Sequence, residues 1–185
     1  FIAYGVQPAH ARTTMPLAPV MSLRSRLVQV RELPAGTTVS YARTWTAQRP
    51  TRIGVVPVGY GHGYSWLLSN RGEMLIAGRR VPIVGRVTMD LTMVDCTDLP
   101  QVAVGDEVVL FGEQAGATLP VEEVARWSET LSYEILCTIG KRVPRLYREG
   151  GRVVRLTTLV GERAEWTAAA DSYVRARDAH AMARA

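Results

Sequence analysis

Apolar and polar positions alternate only in short stretches along most of this chain, and each stretch predicts a strand. In "MSLRSRLVQVREL" the residues Met21, Leu23, Leu27, Val28 and Val30 alternate in part, and "PAGTTVSYARTW" reads as a turn followed by a second strand. "TRIGVVPVGY" is a near-continuous apolar run that suits a strand buried on both faces. "GEMLIAGRRVPIVGRVTMD" predicts a hairpin, with one strand from Met74 to Ala77, a turn at Gly78 to Arg80 and a second strand from Val81 to Val87. "LTMVDCTDLP" and "VGDEVVLFG" add two more short strands. The period changes in "LPVEEVARWSETLSYEILCTIG", where Val121, Val124 and Ala125, then Leu131, Ile135 and Leu136, are spaced as two short amphipathic helices interrupted near Ser128. Strand character returns in "RVPRLYREGGRVVRL", and from Glu162 onward the Ala- and Arg-rich stretch has a thin apolar face and an order the pattern does not fix. The pattern predicts a mostly-β, barrel-like or sandwich-like fold with one or two short helices.

Composition narrows the class. At 185 residues and 47% hydrophobic, the chain suits one well-filled core. No apolar run approaches a membrane span of about 18 residues, and no secretory leader is visible, so the expected setting is soluble and cytoplasmic. Cys96 and Cys137 are too few and too far apart for a disulfide framework, and no Cys/His spacing points to a metal. The net charge of +5 comes from arginines scattered along the chain, without the concentrated block that nucleic-acid binding favours. Of the 22 Lys and Arg residues only Lys141 is a lysine, so amine chemistry would have to use that residue or borrow one from another polypeptide segment.

The stretch "VPVGYGHGYSW" sets Gly59, Gly61 and Gly63 between Tyr60, His62 and Tyr64 directly behind an apolar run. Glycines cost entropy to order and serve where backbone turns tightly or approaches something closely, so the stretch predicts a shaped loop presenting those three side chains.

Read together, "VSYARTW", "RIGVVPVGYGHGY", "VPIVGRVTMD", "VDCTDLPQVAVGDEVVLFG" and "SYEILCTIGKRVPRLY" resemble, in order and spacing, the C-terminal domain of pyridoxal-phosphate-dependent alanine racemases. The resemblance covers Tyr4 to Arg155. It implies a β-rich C-terminal domain at residues 15–161, the remnant of an N-terminal barrel at 1–14 and a tail at 162–185. It also implies an enzyme that interconverts L- and D-alanine, the latter for peptidoglycan. In the family, an N-terminal barrel carries pyridoxal phosphate on a lysine, and the C-terminal domain completes the active site of the other subunit of a homodimer. Lys141 does not match that lysine, so the resemblance implies that this chain alone is inactive.

Tyr41 matches the family's catalytic tyrosine, which exchanges a proton on one face of the substrate carbon. Met89 matches a residue whose backbone N–H binds the substrate carboxylate, a contact that needs no charged side chain. Asp90 follows it and is expected to help fix the turn. Tyr60 matches a tyrosine lining the passage to the cofactor, and Tyr133 one that contacts the cofactor phosphate. The residues taken singly leave other readings open: Tyr41 as a strand tyrosine packed on a sheet, Met89 as core filling, Tyr60 and Tyr133 as boundary residues. This chain also departs from the family pattern. His62 stands where aspartate is usual, exchanging a carboxylate for a titratable imidazole. Thr88 and Leu91 replace a cysteine and a glutamine around Met89. Racemisation of serine or another small amino acid, a noncatalytic β-barrel that binds a partner, and a dimerisation module are the alternatives.

Overall fold

The computed structural model describes residues 2–7 and 16–163. Apolar, β-branched runs become strands: β1 (Leu23–Arg26), β2 (Gln29–Leu33), β3 (Thr38–Val39), β4 (Trp45–Thr46), β5 (Thr51–Val56), β6 (Glu73–Ile76), β7 (Arg79–Pro82), β8 (Thr92–Asp95), β9 (Glu107–Gln114) and β10 (Ala117–Leu119). Helices α1 (Val121–Trp127) and α2 (Ser132–Thr138) follow, and then β11 (Arg145–Glu149), β12 (Arg152–Thr158) and β13 (Gly161–Arg163). The described residues fall into two bodies that divide between Thr138 and Ile139.

In the first body, β1-β9-β6-β7 form one antiparallel sheet with β10 also on β9, β2-β5-β8 form a second, and β3-β4 form a short third. In the second body, β11-β12-β13 form an antiparallel sheet turned at Gly150 and Gly151, with the Arg155 guanidinium 3.9 Å from the Tyr147 ring centroid. The mostly-β expectation with two short helices holds, and none of these sheets closes on itself. The core of the first body lies where Met74, Leu75 and Ile76 of β6 meet Val108, Val109, Leu110 and Phe111 of β9, all but inaccessible to water. The apolar face of α1, Val121, Val124 and Ala125, is buried as its spacing predicts.

Three sequence expectations change. The strand expected through Met21 to Val30 is two strands, because the chain switches sheets at Leu27–Val28. Leu27 N–H bonds Asp106 O beside β9 (3.0 Å), while Val28 N–H bonds Val55 O of β5 (2.9 Å). The hairpin is real but turns at Ala77–Gly78, both at positive φ as a two-residue type I′ turn requires. Its second strand stops at Pro82, which has no N–H to extend the ladder. Beyond it only Ile83 bridges Val94, and residues 84–91 form a connector. Leu131 falls in the link before α2 and is exposed rather than packed.

Candidate active site

Connecting segments, not strands, carry three of the four residues singled out above. The strand expected through Tyr41 shrinks to Thr38–Val39, and Tyr41–Arg43 instead form a short irregular turn. The backbone leaves β3 by an unusual route. Ser40 adopts φ +65° and ψ −175°, a conformation nearly reserved for glycine, and Ala42 and Arg43 also have positive φ, at +57° and +50°. Each such residue costs on the order of 1–3 kcal/mol and persists only where its surroundings over-determine it. Below the turn, Val39, Ile53 and Val84 form a buried cluster joined by Leu33, Trp45 and Met93. Beside it, the Ser40 hydroxyl donates to Arg86 O (2.8 Å). The result is a tyrosine 74% exposed, so a residue packed on a sheet is excluded.

The glycine-rich loop answers why the glycines are there. Tyr60 N–H donates to Thr88 O (3.0 Å) and Gly61 N–H to Met89 O (2.8 Å), so the loop is laced backbone to backbone onto the connector. A side chain on Gly59 would lie 2.0 Å from Thr88 O, and only glycine permits that approach. His62 Nδ1 accepts from Gly59 N–H (3.3 Å), giving the departing residue a local role as an acceptor within the bend. Tyr60 is exposed, but the expectation for Tyr64 fails: its ring is buried, and burial drives its phenol to hold its proton far more strongly than usual.

Met89 tips a tight turn in the connector. Thr88 N–H donates to Leu91 O (2.9 Å), and Leu91 N–H donates back to the Thr88 hydroxyl oxygen (3.0 Å). Thr88 and Leu91, two of the three residues that depart from the pattern the resemblance implies, therefore close the turn themselves. Met89 is half exposed, which excludes core filling, and its N–H donates to no acceptor among the described residues. That amide can receive a carboxylate oxygen. Tyr60 and Met89 are thus brought together through their backbones, and Tyr41 joins them through Ser40 and Arg86, three residues before Met89.

Tyr133 sits apart, in the first turn of α2. It is half-buried, with its ring 6.4 Å from that of Tyr4. The end of α2 reaches the glycine-rich loop, where the Thr138 hydroxyl donates to Gly63 O (3.3 Å). Lys141 is exposed and lies in the second body. Residues 1, 8–15 and 164–185, which hold more than half of the expected barrel remnant and most of the tail, lie outside the described residues.

Sequence reasoning missed the residues that hold the connector in place. Ser69 Oγ accepts from Val87 N–H (2.9 Å) in a buried position. Asn70 Oδ1 accepts from Gly85 N–H (2.5 Å) while its Nδ2 donates to Thr44 Oγ1 (3.0 Å). The Arg86 guanidinium lies 4.5 Å from the Trp66 ring centroid. The available signal was the turn cluster "SNRG", in which asparagine tolerates the left-handed φ of +57° that Asn70 adopts.

Solved structures share this architecture. The alanine racemase of Bacillus anthracis with bound L-Ala-P superposes with a TM-score of 0.80 at 36% identity, over 86% of this chain and 41% of that one. The biosynthetic alanine racemase of Pseudomonas aeruginosa gives 0.73 at 43% identity, over 80% and 41%. The Bartonella henselae enzyme with covalently bound pyridoxal phosphate gives 0.73 at 35%, over 80% and 40%. Among curated sequences, the alanine racemase of Desulfosudis oleivorans is 50% identical over 149 residues, 80% of this chain and 38% of its own length. The chain therefore spans about two fifths of the relatives it matches. No helix among the described residues is long and apolar enough to cross a membrane. Residues 20–147 match the model for the alanine racemase C-terminal domain, and the chain belongs to that family.

Proposed function

We propose that residues 15–161 act as the C-terminal half of a pyridoxal-phosphate-dependent alanine racemase, completing an active site whose cofactor is anchored on the barrel domain of a partner subunit. The observation that carries this reading is the grouping of an exposed phenol, Tyr41, with the exposed Met89 amide and Tyr60 on segments joined by backbone hydrogen bonds and the Ser40 hydroxyl, in a chain whose one lysine, Lys141, belongs to the other body. Pyridoxal phosphate, when bound, supplies the electron sink that makes an amino acid's α-proton removable. This chain's residues fit a rim for that chemistry rather than its anchor. Tyr41 holds or removes the proton on one face of the substrate α-carbon, the Met89 N–H orients the substrate carboxylate, Tyr60 lines the approach, and Tyr133 offers its phenol to the cofactor phosphate. Alanine is the proposed substrate, and the whole enzyme is proposed to be a cytoplasmic homodimer.

The test is racemisation by the full-length polypeptide and by its Tyr41→Phe variant, followed by chiral separation of the product. Loss of an acid/base group is expected to lower turnover by about 10²- to 10⁴-fold. The present chain alone is expected neither to racemise alanine nor to take up the cofactor productively. Turnover by this chain alone, or an unaffected Tyr41→Phe enzyme, overturns the reading.

A further inference from the structure

We propose that Ser40 and Asn70 are positioning residues that clamp the Tyr41 turn, on both of its sides, to the connector that carries Met89. The inference rests on the racemase reading of Tyr41 and Met89, and its geometry stands independently of it. On the entering side of Tyr41, the Ser40 hydroxyl donates to the carbonyl of Arg86. On the leaving side, Thr44 Oγ1 accepts from Asn70 Nδ2, and the same Asn70 side chain accepts from the N–H of Gly85. Both tethers therefore end on adjacent residues, Gly85 and Arg86, and one exposed tyrosine hangs between them.

The close fit at the junction has no slack. A side chain on Gly85 would lie 2.8 Å from Ser40 Cβ and 2.8 Å from Val39 O, so the turn rests directly on the connector. Ser40 is held in its glycine-like conformation at this contact, and Ala42 and Arg43 continue with positive φ. A turn made of residues that disfavour its backbone shape relaxes when its restraints are removed. Asn70 is itself at positive φ, on the bend that follows Trp66–Leu68, a backbone shape that asparagine tolerates better than most residues. Catalytic groups misplaced by about 1 Å can lose on the order of 10²-fold in rate. The clamp sets the separation between the group that moves the proton and the amide that orients the substrate.

Rates alone cannot distinguish a positioning role from a general loss of folded enzyme, because the equilibrium between enantiomers forces kcat/KM to fall equally in both directions. The α-deuterium isotope effect can. One enantiomer gives its proton to Tyr41 and the other to the group on the opposite face. Displacing Tyr41 makes its own transfer more rate-limiting, so the isotope effect rises for one enantiomer and not for the other. The experiment compares wild type, Ser40→Ala, Asn70→Ala and Asn70→Asp in the full-length enzyme, with hydrogen exchange of the Gly85 amide and 15N relaxation of residues 40–44 measured on the present chain. Aspartate keeps an acceptor for Gly85 and can accept from the Thr44 hydroxyl, so Asn70→Asp is the rescue. Expected are losses of about tenfold or more in kcat for both alanine variants, a one-sided rise in isotope effect, faster Gly85 exchange in Asn70→Ala, and substantial recovery in Asn70→Asp. Unchanged isotope effects in both directions, or unchanged exchange and relaxation, overturn the clamp. A wild-type enzyme without racemase activity overturns the functional reading instead, while the exchange and relaxation data still decide the clamp.

Discussion

Replacing Gly59 by alanine is the most direct perturbation of the arrangement that presents Tyr60 and Met89. The backbone of Gly59 is extended, with φ −156°, so alanine meets no conformational objection there. Its obstacle is space: the new Cβ would stand 2.0 Å from Thr88 O and 2.7 Å from Met89 O, both backbone atoms that cannot rotate aside. To restore ordinary contact, the loop and connector must part by more than an ångström, which removes the 3.0 Å bond from Tyr60 N–H and the 2.8 Å bond from Gly61 N–H. Two hydrogen bonds at about 1 kcal/mol each and about 1–3 kcal/mol of overpacking give an expected loss of about 3–5 kcal/mol. Urea unfolding followed by tryptophan fluorescence measures it. Gly140→Ala is the control, since a Cβ there meets nothing within 4 Å. It is expected to be neutral or slightly stabilising, by up to about 1 kcal/mol. A Gly59→Ala protein within about 1 kcal/mol of wild type would show that the loop and connector are not held by their backbones, and the account of how Met89 is presented would fail with it.

Three further outcomes follow from the same structure. His62→Asp, which keeps an acceptor for Gly59 N–H, is expected to leave stability within about 0.5 kcal/mol, while His62→Leu loses about 1 kcal/mol; equal losses refute the acceptor role. The Arg80 guanidinium binds both Glu123 and Glu73, and this holds the Glu123 carboxyl below its ordinary value of 4.5. A lowered folded-state value gives stability that is present above the ordinary carboxylate range and lost as pH falls through the depressed value. Glu123→Gln should therefore cost under about 1 kcal/mol at neutral pH, since Arg80 is more than a third exposed, and flatten the acid limb of an unfolding profile. Cys96 is sealed in the core, where burial raises its thiol to about 11, whereas Cys137 is exposed. A thiol reagent should label Cys137 at once and Cys96 only on unfolding; rapid labelling of both contradicts the packing around Cys96.

Periodicity carried the fold wherever burial was one-sided or complete. The α1 face at Val121, Val124 and Ala125, the buried β5 run and the existence of the β6–β7 hairpin were legible, because each is a local pattern with a local cause, while the hairpin's turn and its second strand's end fell elsewhere than expected. The switch of sheets at Leu27–Val28 was not, since two adjacent apolar residues look alike whether their amides bond one sheet or two. The four site residues came from resemblance rather than physics; pattern alone left Tyr41 open as a strand residue, and only the backbone conformation at Ser40 moves it out to solvent. The SNRG cluster marks a turn at Asn70, but what Ser40 and Asn70 bind was illegible for a related reason. Their partners Arg86 and Gly85 lie 46 and 15 residues away, and no short-range signal records a contact at that distance.

The lacing of Gly59–Gly61 onto Thr88–Met89 also separates what this surface must keep from what it can change. The contact at position 89 is a hydrogen bond between main-chain atoms, which any side chain there leaves available. A library randomised at both positions should return glycine almost alone at 59 and a broad chemical alphabet at 89. The backbone of this surface can thus be inherited intact while its side chains are rewritten one at a time.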